Sequence, residues 1–188
     1  MGYQFSPETD VQQLEQALSR LYSPQQLPSQ INRYRSLLAG LTETFGPCNQ
    51  VAVFSAPGRT EICGNHTDHQ HGLVLAGSID LDVIAAVAPN GEDVIRIQSE
   101  GFPMDIVELD SLEVREEERN TSAALIRGVA AWFQSQGCKL EGFNAYTTST
   151  VFKGSGLSSS AAFEVLLGNI FNELFFDDSG GGVGKECR

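Results

Sequence analysis

Residues 149–175 read STVFKGSGLSSSAAFEVLLGNIFNELF. A strand-like end enters Gly154-Ser155-Gly156, passes Leu157 and three serines, and becomes a long apolar stretch at helical spacing, predicted as a helix over 158–175. Glycine lets a backbone approach a ligand closely. The start of a helix presents amides without intrahelical partners and a partial positive charge. Together they form an anion site. Ser158, Ser159 and Ser160 add hydroxyls, and a hydroxyl oxygen suits a hard cation such as Mg²⁺. The same residues also describe a serine N-cap behind a glycine turn. Taken alone, the stretch leaves phosphate binding and plain capping both open.

The elements before it complete the pattern. Residues 10–22 carry apolar positions at helical spacing with Asp10 as N-cap, and 28–46 form a second helix between Pro28 and Gly46. Residues 51–58 alternate and end in Pro57-Gly58, a strand running into a turn. Two strand-like runs rich in Val and Ile follow at 73–89 and 93–99. A charge run at 111–120 reads as a solvated loop or helix start. Residues 121–137 form a helix ending in glycine, and 142–150 a strand. Strands followed by strands, then helices, predict an α+β fold rather than a βαβ repeat.

Composition narrows the function classes. A chain of 188 residues, 41% hydrophobic and 19% charged, is long enough for one domain with its own core. Twenty-four acidic residues against twelve basic ones give a net charge of -12, which argues against nucleic acid or an anionic membrane as partner. No apolar run reaches the length of a membrane span. Cys48, Cys63, Cys138 and Cys187 are widely spaced and read as free thiols in a reducing cytoplasm. Residues 179–187, SGGGVGKEC, imitate a Walker A loop, but Ser179 replaces its first glycine and Glu186 its final hydroxyl.

The second polar concentration is GRTEICGNHTDHQHG, residues 58–72, which holds all three histidines of the chain. Three readings compete: a metal site of His66, Asp68, His69 and His71, a grip on a small polar ligand, or a busy surface turn. Four ligands within six residues crowd one loop, which weighs against metal. A small polar ligand needs several oriented donors and acceptors, and Asn65, His66, Thr67 and Asp68 supply both kinds in four residues.

The two stretches together resemble the galactokinase branch of the GHMP small-molecule kinases. Gly58-Arg59-Thr60-Glu61-Ile62-Cys63-Gly64-Asn65-His66-Thr67-Asp68-His69 is similar to that family's sugar signature, and Phe152-Lys153-Gly154-Ser155-Gly156-Leu157-Ser158-Ser159-Ser160-Ala161 to its phosphate loop. They occur in the family's order, about ninety residues apart, and the resemblance runs from about residue 45 to 175. It implies the α+β N-terminal domain of a GHMP kinase, with the C-terminal domain absent from this sequence. It also implies a helical segment at 1–46, a sugar- and ATP-binding domain at 47–176 and a glycine-rich tail at 177–188.

The implied activity is Mg²⁺- and ATP-dependent phosphorylation of the anomeric hydroxyl of galactose or a close relative, in the cytoplasm. Arg59 would be catalytic, stabilising developing charge beside the reacting hydroxyl. Asn65, His66, Thr67 and Asp68 would hold the sugar. Gly154, Ser155, Gly156, Leu157, Ser158, Ser159 and Ser160 would cradle ATP, with Ser160 also on Mg²⁺. Two departures stand out. Asn65 replaces the family's Glu, which opens the identity of the sugar. The family's Mg²⁺-ligating Glu and catalytic Asp have no counterpart after the serine helix, so this sequence reads as an inactive N-terminal fragment. The alternative is a non-catalytic sugar-binding or sensor protein of the same family.

Overall fold

The computed structural model describes residues 3–5, 11–64, 71–151 and 156–175. The elements are β1 (Tyr3–Phe5), α1 (Val11–Leu18), α2 (Leu27–Phe45), β2 (Val51–Cys63), β3 (Leu75–Pro89), β4 (Val94–Ser99), β5 (Asp105–Glu108), α3 (Ser122–Ser135), β6 (Phe143–Ser149) and α4 (Ser159–Phe175). One sheet runs in the order β1-β2-β3-β6-β4-β5. Every neighbouring pair is antiparallel except β4 with β6.

Side-chain alternation along β3 explains how one sheet serves two helical layers. Val83, Ala85 and Val87 point into a core with Ile126, Ala130 and Phe133 of α3 and Leu166, Leu167, Ile170 and Phe171 of α4. Ile84, Ala86 and Ala88 point the other way, against Leu14 and Leu18 of α1 and Tyr34, Leu37 and Leu41 of α2. A strand buried on both faces reads as a continuous apolar run, and that is what residues 83–88 are. At about 1.5–3 kcal/mol for each large side chain removed from water, these two layers supply the main drive to fold. Phe171 anchors the α3–α4 layer, stacked on Phe133 at 5.4 Å and edge-on to Phe143 at 5.6 Å.

Several boundaries differ from those expected. α1 stops at Leu18 rather than 22, its last turn tightening as Leu21 N–H donates to Leu18 O at 2.9 Å. Pro24 disfavours helical backbone at Ser23, so the chain turns there; Asp10 lies outside the described residues. β2 does not turn at Pro57-Gly58 but continues to Cys63, with a register shift between Pro57 and Arg59. A bulge absorbs the proline and glycine, and among the described residues β1 pairs β2 only over Val51–Val53, so the missing Pro57 N–H breaks no ladder there. The short strands β1 and β5 were not foreseen. The charge run is less solvated than expected. Glu118 takes a two-pronged contact from Arg127, Nε at 2.8 Å and Nη2 at 2.7 Å, and Arg127 is buried. That fork holds the carboxyl of Glu118 below its ordinary range.

Candidate functional site

The two polar stretches meet at Gly58 and Arg59. Arg59 lies on β2 opposite Ser78 of β3, half-buried. Its backbone N–H donates to the carbonyl of Leu157 at 3.2 Å. Just before it, Gly58 is buried between Ile79 and Val151. A Cβ there would meet Ile79 Cδ1 at 3.0 Å and Val151 Cγ2 at 3.1 Å. Val151 and Leu157 bracket residues 152–155. Both flanks of the glycine loop are therefore pinned to the strand that carries the first motif.

The loop's exit has the features expected of a ligand-approaching turn. Gly156 adopts φ +75°, and nothing lies within 4 Å of where its Cβ would be. Ser158, also at positive φ (58°), offers its carbonyl to Ala162 N–H at 2.9 Å and so opens α4. Ser159 and Ser160 are the first residues of the helix, Ser160 exposed. The first turn contains no acidic side chain, so the partial positive charge of its amides is left unneutralised locally. Gly154 and Ser155 lie outside the described residues, as do Asn65, His66, Thr67, Asp68 and His69. The sugar-binding and histidine metal readings of residues 65–70 thus have no described geometry beyond their flanks. The flanking Gly64 and His71 have φ +115° and 60°. Among the described residues, no three His, Cys, Asp or Glu side chains are placed to hold a metal.

A polar cluster behind the site went unnoticed in the sequence. Asp82, on the α1–α2 face of β3, is 7% exposed. Its carboxylate accepts from Arg33 Nη1, from the Tyr22 hydroxyl and from Ser55 Oγ, the last at 2.7 Å. Its main chain is tied as closely. Asp82 N–H donates to Thr150 Oγ1 at 3.0 Å, and Asp82 O accepts from Thr150 N–H at 2.9 Å and from Arg33 Nη2 at 3.1 Å. Burial, the neighbouring Tyr34 and the Asp82 carboxylate push the Tyr22 hydroxyl far above its ordinary range, and burial pushes Tyr34 up to about 12. The one available signal was a polar residue inside the apolar run LDVIAAVA.

Comparison with known proteins assigns the two stretches. Residues 41–89 match the galactokinase galactose-binding signature, and residues 124–185 match the GHMP kinase N-terminal domain. A galactokinase of Lacticaseibacillus casei is 35% identical over 138 residues, 72% of this chain and 35% of that protein. One from Streptomyces coelicolor is 34% identical over 123 residues, 65% of this chain and 32% of its own length. The crystal structure of Lactococcus lactis galactokinase complexed with galactose superposes with a TM-score of 0.70 at 27% identity, over 78% of this chain and 38% of that one. The mevalonate kinase of Methanococcus jannaschii, 14% identical with a TM-score of 0.55, covers 69% of this chain and 41% of its own and shares the fold. The chain spans about a third of the length of the curated relatives it matches. The mixed sheet with helices on both faces is the α+β fold of a GHMP kinase N-terminal domain. Among the described residues, no helix is long and apolar enough to cross a membrane.

Proposed function

We infer that this chain, which belongs to the galactokinase branch of the GHMP kinases, binds galactose and Mg·ATP side by side as part of an ATP-dependent galactose 1-kinase. The observation that carries the reading is the Arg59 N–H···O=C Leu157 bond, which sets the sugar motif against the serine helix. Phosphoryl transfer needs reactants held in line and charge neutralised, more than covalent help. In this reading Asn65, His66, Thr67 and Asp68 hold the sugar. Arg59 stabilises charge at the anomeric hydroxyl. Residues 154–160 take the phosphates on glycine backbone and helix amides. The open space beside Gly156 and the absence of an acidic side chain in the first turn of α4 suit a polyanion. Ser160, exposed at that turn, fits a hydroxyl ligand of Mg²⁺, an ion that screens the phosphate charge when bound.

Residues 47–176 form the binding unit, with 1–46 as its helical cover and 177–188 as a tail, in the cytoplasm. These 188 residues are expected to bind both substrates without turning them over. Calorimetric titration with galactose tests the sugar half: saturable binding lost in Asp68→Ala supports it, and no heat, or binding indifferent to that change, refutes it. A coupled ADP-release assay tests the rest, with turnover at about 1–100 s⁻¹ contradicting the inactive-chain reading.

A further inference from the structure

A cavity of about 340 Å³ lies between the α1–α2 layer and the sheet, bordered by Pro57 and Ile79 next to the first motif but by no described residue of 58–72 or 149–175. That size is within the range of small-molecule sites. Its lining combines apolar residues, Ala17, Leu18 and Leu21 of the helical layer among them, with the polar Tyr22, Tyr34, Ser55, Asp80 and Asp82. Counting protons decides what can enter. The Tyr22 hydroxyl donates to Asp82, and Ser55 Oγ donates to the same oxygen. The Tyr22 and Tyr34 hydroxyls are 3.1 Å apart; with the Tyr22 proton spent on Asp82, Tyr34 is the donor of that pair. All three hydroxyl protons are used, and the lining side chains have acceptor capacity left; the buried donor without a partner among the described residues, Arg33 Nε, belongs to a residue outside the lining. Arg33 matches the charge of Asp82. Asp80, exposed on the same β3 face, accepts from the neutral amide of Gln26 at 2.5 Å and has no ion pair among the described residues. The Tyr22 and Tyr34 rings, edge to face at 6.2 Å, add aromatic surface, to which cations are attracted.

We propose that this cavity is a second ligand site, which takes a small primary ammonium carried on a compact apolar body. The polar lining and Asp80 select a cationic donor, the apolar lining takes the apolar body, and a chain of net charge -12 repels the corresponding anion. An occupant rests against Asp82, whose main chain holds Thr150 at the approach to residues 152–155.

The probe is benzylamine, titrated calorimetrically into the full chain without sugar or nucleotide, so the outcome does not depend on the kinase reading. The expected result is saturable one-to-one binding, at least tenfold tighter than that of benzoate or benzyl alcohol. Asp80→Asn should weaken it severalfold. Ala17→Phe fills the cavity from the helical layer and should weaken it at least tenfold. Leu21→Trp, at a residue already 55% exposed, is the second filling variant should Ala17→Phe not fold. No saturable benzylamine binding overturns the proposal. So does equal binding of benzoate or benzyl alcohol, binding undiminished in the folded filling variants, or displacement by galactose.

Discussion

Gly58 is a glycine because two side chains close over it, not because its backbone needs the freedom. Ile79 and Val151 stand at 3.0–3.2 Å from where a Cβ would be, tighter than ordinary contact. Gly58→Val is therefore expected to cost about 1–3 kcal/mol by overpacking and to shift Arg59 from Leu157, read as a lower urea midpoint and a displaced Arg59 amide resonance. Gly156 is the opposite case, with room for a side chain but a positive φ. Tyr22 and Tyr34 carry a different expectation. Their folded pKa values lie above the unfolded tyrosine value of about 10, so the stability they confer is complete below pH 10. It falls as pH rises through the folded values, about 12 for Tyr34. Tyr22→Phe should lower stability at about pH 8, by losing the Asp82 bond, yet flatten the decline above about pH 10. Urea melts at the two pH values check both signs. None of this was legible in the sequence, because Asp82 declares its burial only once β3 is assigned a face.

At the scale of elements, periodicity read well where an element was long and regular. α2 begins at Leu27 with Pro28 inside its first turn and ends before Gly46, one residue from the expected start. α3 begins at Ser122 with Thr121 as its cap, which accepts from Ala124 N–H at 3.3 Å. Glu164 and Glu173 are exposed on α4, as its spacing predicts. Reading failed where tertiary contacts decide. β5 is four residues long, with Val107 buried and Ile106 exposed, too short to display alternation. The turn expected at Pro57-Gly58 is a bulge because β3 continues as a partner on the far side. The link with most bearing on function is that from β6 to α4. Thr150 gives and takes hydrogen bonds with the Asp82 main chain, 3.1 Å to its carbonyl and 3.0 Å from its amide. Thr150→Val should cost about 1–2 kcal/mol and speed hydrogen exchange at the Arg59 amide beyond the change seen at core amides, with Thr150→Ser restoring both. Uniform acceleration everywhere would mean that Thr150 only stabilises and does not position the loop.

Across the whole molecule, the order of the two motifs carried more information than either alone. Glycine, serine and helix in residues 154–175 left capping and phosphate binding equal until the arginine-histidine stretch was set beside them. The fold makes the reason physical: antiparallel β2 and β3 bring Arg59 to the edge that Leu157 reaches, although about a hundred residues of chain separate them. What the sequence could not reveal is which face of the sheet α1 and α2 cover, and that Arg33 of α2 and Tyr22 between the helices meet Asp82 there. We propose that residues 154–160 receive a metal-bound triphosphate. The direct measurement is Mg·ATP affinity, with and without Mg²⁺, for the full chain and for Ser160→Ala. The account predicts saturable binding that Ser160→Ala weakens about tenfold, or about 1.4 kcal/mol, with Mg²⁺ present and leaves unchanged without it. No saturable binding by the wild-type chain, or Mg²⁺-dependent binding indifferent to Ser160→Ala, would contradict it.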